Sequence, residues 1–213
     1  MADSTESSGT GANSCAEDAT TRIDQIADAA LRRFARYGFK RTSMDDIAKE
    51  AGLAKATLYL HFKGKDDVFR AMMLRTGQRV DARCQRVMTM TAPFPERLAA
   101  LLDAHFGTGY ACFGAGEHLL ELKAVMTSVA SAEVQVFESI FTRHATTLLE
   151  KAEAAGEISL SRSGLSTATF VATLMQTAAG AKAGARLSCE TYGARLRDLA
   201  SIFAAALAPT GRD

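Results

Sequence analysis

An all-α fold is what this 213-residue sequence predicts, on two observations. Nearly every segment after residue 20 places its apolar residues at i, i+3 and i+4. The chemistry of hairpins is scarce: three prolines, no Asn-Gly or Asp-Gly, and few β-branched runs. A hydrophobic content of 47% is enough to bury a full core.

The elements follow in order. Residues 1–19 carry four acids, no base and no apolar run, so they predict a disordered tail and neither a secretory signal nor a transit peptide. Over 20–37, Ile23, Ile26, Ala27, Ala30, Leu31 and Phe34 share one face and Arg22, Asp24, Arg32, Arg33 and Arg36 the other, with Gly38 as the stop. Ser43 with Asp46 three residues on is a capping box, which starts a short helix that Gly52 ends. Lys55–His61 predicts a third helix of barely two turns. Gly64 is the entry to a long fourth helix over 65–90, with Val68, Phe69, Met72, Met73, Val80, Cys84 and Val87 inward.

Past Pro93 and Pro95 come three apolar stripes. The first is Leu98, Leu101, Leu102, His105, Phe106, Tyr110 and Phe113. The second is Leu119, Leu122, Met126 and Val129, and the third runs from Val134 through Phe137, Ile140, Phe141 and His144 to Leu148. Segments 166–186 and 191–208 are apolar or small on almost every side, so something buries them. We find no internal repeat.

The net charge of +1 excludes a polycation that coats nucleic acid indiscriminately. Its distribution is uneven: residues 20–75 hold 12 basic against 7 acidic side chains. That is the asymmetry of a nucleic-acid-contacting module joined to a neutral partner. Cys15, Cys84, Cys112 and Cys189 form no C-x-x-C pair, which suggests neither a zinc site nor a disulfide framework and makes a reducing cytoplasm the expected location. No apolar run is long enough to span a bilayer, so no membrane partner is expected.

The stretch AGLAKATLYLHFKGKDDVF (51–69) interleaves basic and aromatic side chains directly after a turn glycine. A solvated helix edge is the plain reading. Capping, turn and spacing together argue instead for a helix-turn-helix, with Ile47 and Leu58 inside and Ala48 small where the two helices meet.

Residues 31–69, LRRFARYGFKRTSMDDIAKEAGLAKATLYLHFKGKDDVF, resemble the DNA-binding domain of the TetR family of bacterial regulators. The core I-A-x-x-A-G-x-x-x-x-T-L-Y-x-H-F-x-x-K, from Ile47 to Lys65, carries the resemblance, and the match spans about 22–72. It implies a helix-turn-helix domain over 20–65 and a larger helical ligand-binding and dimerisation domain over 66–213. By position it implies that Thr42 and Ser43 touch phosphate, that Lys55, Ala56 and Thr57 face the groove, and that Tyr59, His61 and Lys65 hold phosphates. The family commonly has Ser, Thr or Pro before the recognition helix, where this chain has Ala54 and so lacks a cap of about 1 kcal/mol.

For the remainder we expect an apolar ligand site from His105, Phe106, Tyr110, Phe113, Met126, Phe137, Phe141, His144 and Met175. No cofactor is implied. Dimerisation is expected through the last two helices, where Ala178, Ala179, Ala183 and Gly184 permit close approach. The function implied is a ligand-responsive regulator, most simply a repressor, that binds a palindromic double-stranded operator as a homodimer and is released by a small apolar effector. The alternative is a helical-bundle metal protein or enzyme using His105, His118, Glu121 and His144, although the order His118-x-x-Glu121 is the reverse of the di-iron arrangement and occurs once.

Overall fold

In the computed structural model, which describes residues 10–114, 117–183 and 187–209 with side chains from Thr21 onward, every described element is helical. The first helix, α1 (Thr10–Tyr37), starts ten residues earlier than the periodicity predicts. Residues 10–19 contain no proline and three alanines, which suits a helix, yet they lack the apolar repeat that would announce one. Residues 1–9 lie outside the described part. Ile23, expected inward, is exposed, and the buried face runs instead through Ile26, Ala27, Ala29, Ala30 and Phe34.

Gly38 ends α1 at φ +80, a backbone conformation that favours glycine. Then follow α2 (Met44–Glu50), α3 (Lys55–His61) and α4 (Lys65–Val87). The long helix stops three residues before the expected 90. After it, α5 (Phe94–Leu102) continues into two π-helical segments, Asp103–Gly107 and Tyr110–Gly114. The rest is α6 (Leu119–Val129), α7 (Ser131–Ala154), a 3-10 turn (Leu160–Ser163), α8 (Thr167–Gly180) and α9 (Cys189–Ala206). Ser166 and Ser188 cap α8 and α9 through side-chain oxygens that accept from Thr169 and Thr191.

Two apolar cores result. The first gathers Ile26, Phe34, Ile47, Leu58, Phe62, Val68, Phe69 and Met72 from α1 to the first half of α4, and it also takes Phe113, Leu122 and Ala130 from further along the chain. The rings of Phe34, Phe39 and Phe69 meet at centroid distances of 5.2–5.6 Å, an arrangement worth about 0.5–1.5 kcal/mol per pair beyond burial. The second gathers Val80, Cys84, Leu98, Leu101, Phe141, Leu148, Phe170, Leu174, Tyr192 and Leu196 from the second half of α4 through α9. Helix α4 belongs to both. Whatever tilts it moves one core relative to the other.

Candidate nucleic-acid interface and its adjoining cavity

Helices α2 and α3 form the expected helix-turn-helix. The Ser43 backbone N–H donates to Asp46 Oδ2 (2.9 Å) and Ser43 Oγ accepts from the Asp46 N–H (3.1 Å), closing the capping box. The Ser43 hydroxyl, which donates to Asp46 Oδ2 (2.7 Å), and then the Ser43 backbone N–H, with Arg33 nearby, hold the Asp46 carboxyl below the usual range. At the turn, Gly52 takes φ +67 and the Leu53 N–H donates to Ala48 carbonyl oxygen (2.9 Å). Gln25 Nε2 donates to the Ala51 carbonyl (2.7 Å) and so ties the turn to α1. No side chain caps α3 at Ala54.

On α3, Leu58 is buried, Lys55, Ala56 and Tyr59 are exposed, and Thr57 and His61 are half-buried. None of the five groove and phosphate candidates of this helix is buried, and Ser43 is exposed as well. Lys55 Nζ lies 3.0 Å from Asp45 Oδ1, which keeps its ammonium charged and its stem oriented along α2. Lys40, Arg41 and Lys63 are exposed and form no ion pair among the described residues.

Two expected phosphate ligands are placed otherwise. Thr42 is 1% exposed and its hydroxyl donates to Gly38 carbonyl oxygen (2.7 Å), so its side chain closes the α1–α2 turn instead of facing out. Lys65 Nζ donates to the carbonyls of Phe39 (2.6 Å) and Thr42 (2.9 Å) and lies over the Phe39 ring at 4.4 Å. Burial lowers its pKa. Its first task is to fasten α4 to that turn. Sequence reasoning also missed Leu60, which is 82% exposed on α3. The signal was there: two positions past core Leu58 is about 200° around a helix, which points away from the core.

Behind this surface lies a cavity of about 320 Å3 between the two cores. Met73, Phe113, Met126 and Val134 line it and also pack in the N-terminal core. Phe106, Tyr110, Phe137 and Met175 line it from the C-terminal side. The widened π turns carry His105, Phe106 and Tyr110 into its wall, and π segments recur at functional sites. Tyr110 ties the wall to the segment before α9 by donating to the Leu187 carbonyl (2.8 Å), and Tyr192 joins α9 to α8 by donating to the Ala178 carbonyl (2.8 Å).

His105 is 2% exposed, ringed by Phe106, Phe137 and Phe141 at 4.6–5.3 Å, and its Nδ1 has no hydrogen-bond partner. Burial, reinforced by the Lys182 charge, lowers its pKa to about 3, so the imidazole is neutral. The cavity also takes in Leu119, Lys123, Gln176 and Lys182, none of which the apolar stripes announced as ligand residues. Lys182 was visible as the one charge in the run AAGAKAGA.

Two expected ligand residues are not in the cavity wall. Phe141 packs behind it, against His105 and Phe106. His144 is turned to α4, with Nε2 2.6 Å from Asp81 Oδ1, where Arg143 also pairs with that oxygen at 2.6 Å. A third expectation changes too: Ala178 is fully buried in its own core and Ala179 lines the cavity, so neither forms an outer face, and Gly184 lies outside the described residues. The metal alternative loses its cluster. His105 is in the cavity wall and His144 on Asp81, while His118 Nδ1 lies 3.7 Å from Glu121 Oε2 against the α1–α2 turn. Among the described residues no three His, Cys, Asp or Glu are grouped to hold a metal, and no helix is long and apolar enough to cross a membrane.

Residues 26–72 match the family model described as bacterial regulatory proteins, tetR family. The chain is 33% identical over 99 residues to the fatty acid metabolism regulator protein of Bacillus subtilis (strain 168), covering 46% of this chain and 48% of that one. It spans about half or less of the length of the curated relatives it matches. Its fold is similar to that of the fatty acid degradation regulator FadR from Bacillus halodurans, with TM-score 0.62, 20% identity and coverage of 92% and 96%. A TetR transcription regulator from Haloarcula marismortui superposes with TM-score 0.71 at 19% identity, covering 89% of this chain and 100% of that one.

Proposed function

We propose that this chain, whose residues 26–72 match the model of the tetR family of bacterial regulatory proteins, is a homodimeric repressor of that family that binds a palindromic operator and is released by a small, largely apolar effector. The single observation that supports this most is the wall shared between cavity and DNA module. Met73, Phe113, Met126 and Val134 line the cavity and pack in the core beneath α2 and α3. A ligand that displaces them disturbs the seat of the recognition helix. A coupling of about 1–3 kcal/mol, or 5- to 150-fold in affinity, is all that release requires.

On the DNA side, Lys55, Ala56, Thr57 and the exposed Leu60 face the groove, while Ser43, Tyr59, His61, Lys40 and Arg41 surround them for phosphate. Leu60 adds apolar contact suited to a thymine methyl. Two such surfaces about 34–36 Å apart meet successive major grooves. The outer faces of α8 and α9, with Thr169, Thr173, Ser201, Ile202 and Ala205 exposed, are small enough for close pairing with a second copy.

Footprinting on the DNA upstream of the protein's own gene, with and without a panel of hydrophobic compounds, tests the reading. We expect a protected palindrome that at least one compound releases. Equal operator affinity of free and ligand-saturated protein overturns the regulatory half, and absence of any protected site overturns the whole.

A further inference from the structure

We infer that the cavity takes an amphipathic oxyanion, a molecule with an apolar tail and a negatively charged oxygen head, which Lys182, Lys123 and His105 hold. The inference rests on the reading of this cavity as the effector site and adds the class of molecule.

The tail side follows from the lining. Phe106, Phe113, Leu119, Met126, Phe137 and Met175 offer carbon and sulfur surface only. A cavity of about 320 Å3 is at the small end of ligand sites, which run about 300–1,000 Å3.

The head side follows from what is left unsatisfied. Lys182 lines the cavity half-buried, and both its burial and the nearby Lys123 charge act against its protonation. Neither lysine forms an ion pair with a carboxylate among the described residues, and no carboxylate figures among the charges that Lys182 feels. His105 adds a buried Nδ1 without a partner, close enough to Lys182 to feel its charge. Gln176 brings an amide to the same lining.

The half-buried Lys182 ammonium and an orphaned ring nitrogen around one apolar space are costly when nothing compensates them, and Lys123, exposed at the rim, adds a like charge. An oxyanion removes both costs at once, since it accepts from the two ammonium groups and from Nδ1–H of the neutral ring. A neutral apolar molecule leaves the ammonium desolvated and the ring nitrogen unpaired. A cation meets two positive charges. Glu138 also lines the cavity, exposed as Lys123 is, and it and the aromatic rings favour a cation, but it pairs with neither lysine among the described residues and the half-buried charge is that of Lys182.

The test holds the tail constant and changes the head. Calorimetric titration of the full-length protein compares decanoate, decyl phosphate, decan-1-ol and decyltrimethylammonium, with operator affinity measured in each mixture. We expect decanoate or decyl phosphate to bind at least about tenfold more tightly than the alcohol, and the preferred one names the head. Lys182→Gln brings the oxyanion-to-alcohol ratio to about one, and Lys123→Gln lowers it in part. Binding of the alcohol by both variants shows that they are folded.

Alcohol or ammonium binding as tight as the oxyanions overturns the inference, as does failure of all four to bind or a ratio unmoved by Lys182→Gln. Tight oxyanion binding that leaves operator affinity unchanged refutes regulation through this cavity while the ligand class stands.

Discussion

The ammonium of Lys65 already has two acceptors inside the protein, the carbonyls of Phe39 and Thr42, which leaves one of its three N–H groups for anything outside. Lys65→Ala therefore acts first on the α1–α2 turn. We expect unfolding by urea to show a loss of about 1–2 kcal/mol, and operator binding to weaken without a change in its salt slope. A slope lower by about one would assign Lys65 a direct phosphate contact instead. His105 makes a residue-scale prediction of a different kind. Its folded pKa of about 3 lies below the ordinary imidazole value of 6.5, so as pH falls from 6.5 towards 3 the unfolded chain gains a proton that the folded chain does not. Stability is full above pH 6.5 and declines below it, by about 2 kcal/mol at pH 5. Denaturation midpoints of the wild type and His105→Asn across pH 7.5 to 5 check this. The variant should lack that part of the decline, and parallel curves would refute the assignment.

At the scale of elements, α6 touches both sites, as α4 does. Its Leu119, Lys123 and Met126 line the cavity, and its Glu121 Oε1 accepts from the Lys40 backbone N–H at 2.6 Å on the α1–α2 turn. Gly38 makes room for that contact: a Cβ there would overlap Glu121 Oε2 and lie 3.0 Å from His118 Nδ1. Gly38→Ala should accordingly destabilise twice over, by the left-handed backbone and by expelling Glu121. The more informative change is Glu121→Ala, which leaves the backbone alone and frees the turn from α6. We expect it to cost about 1 kcal/mol of stability and to shrink the factor by which an effector changes operator affinity, measured as the ratio of operator Kd with and without ligand. An unchanged ratio would show that α6 does not carry the signal. The sequence singled out His118 and Glu121 for the wrong reason. Their i, i+3 spacing marks one helix face, and the same spacing serves a metal or an ion pair, so only the neighbouring turn, 81 residues away in the chain between Lys40 and Glu121, decides between them.

For the whole molecule, that distinction between near and far in sequence explains what could be read in advance. Ser43, Asp46, Gly52 and Leu58 act within one or two turns of themselves, and the helix-turn-helix was legible down to its capping box. The cavity is assembled from α4, α5 with its π segments, α6, α7 and α8. Periodicity said that Phe141 and His144 are inward but could not say towards which neighbour, and they face its back wall and α4. The outer face of α8 and α9 has the same character. Ala178 and Ala205 are indistinguishable in composition until the fold shows the first buried and the second exposed, three residues from an Ile202 that is 64% exposed. An isoleucine so exposed, with Ser201 and Ala205 exposed beside it, is the position at which a second copy of the chain has most to cover. Ile202→Glu changes no contact in the protomer's own core, so its helical circular dichroism should match the wild type. Sedimentation should show the wild type as a dimer and the variant as a protomer. Since the two half-sites are then engaged one at a time, affinity for the palindrome should fall about 100-fold or more, while affinity for an isolated half-site stays the same. A variant that remains dimeric moves the proposed dimer interface off this face, and a wild type that sediments as a protomer at operator-binding concentrations removes the dimer altogether.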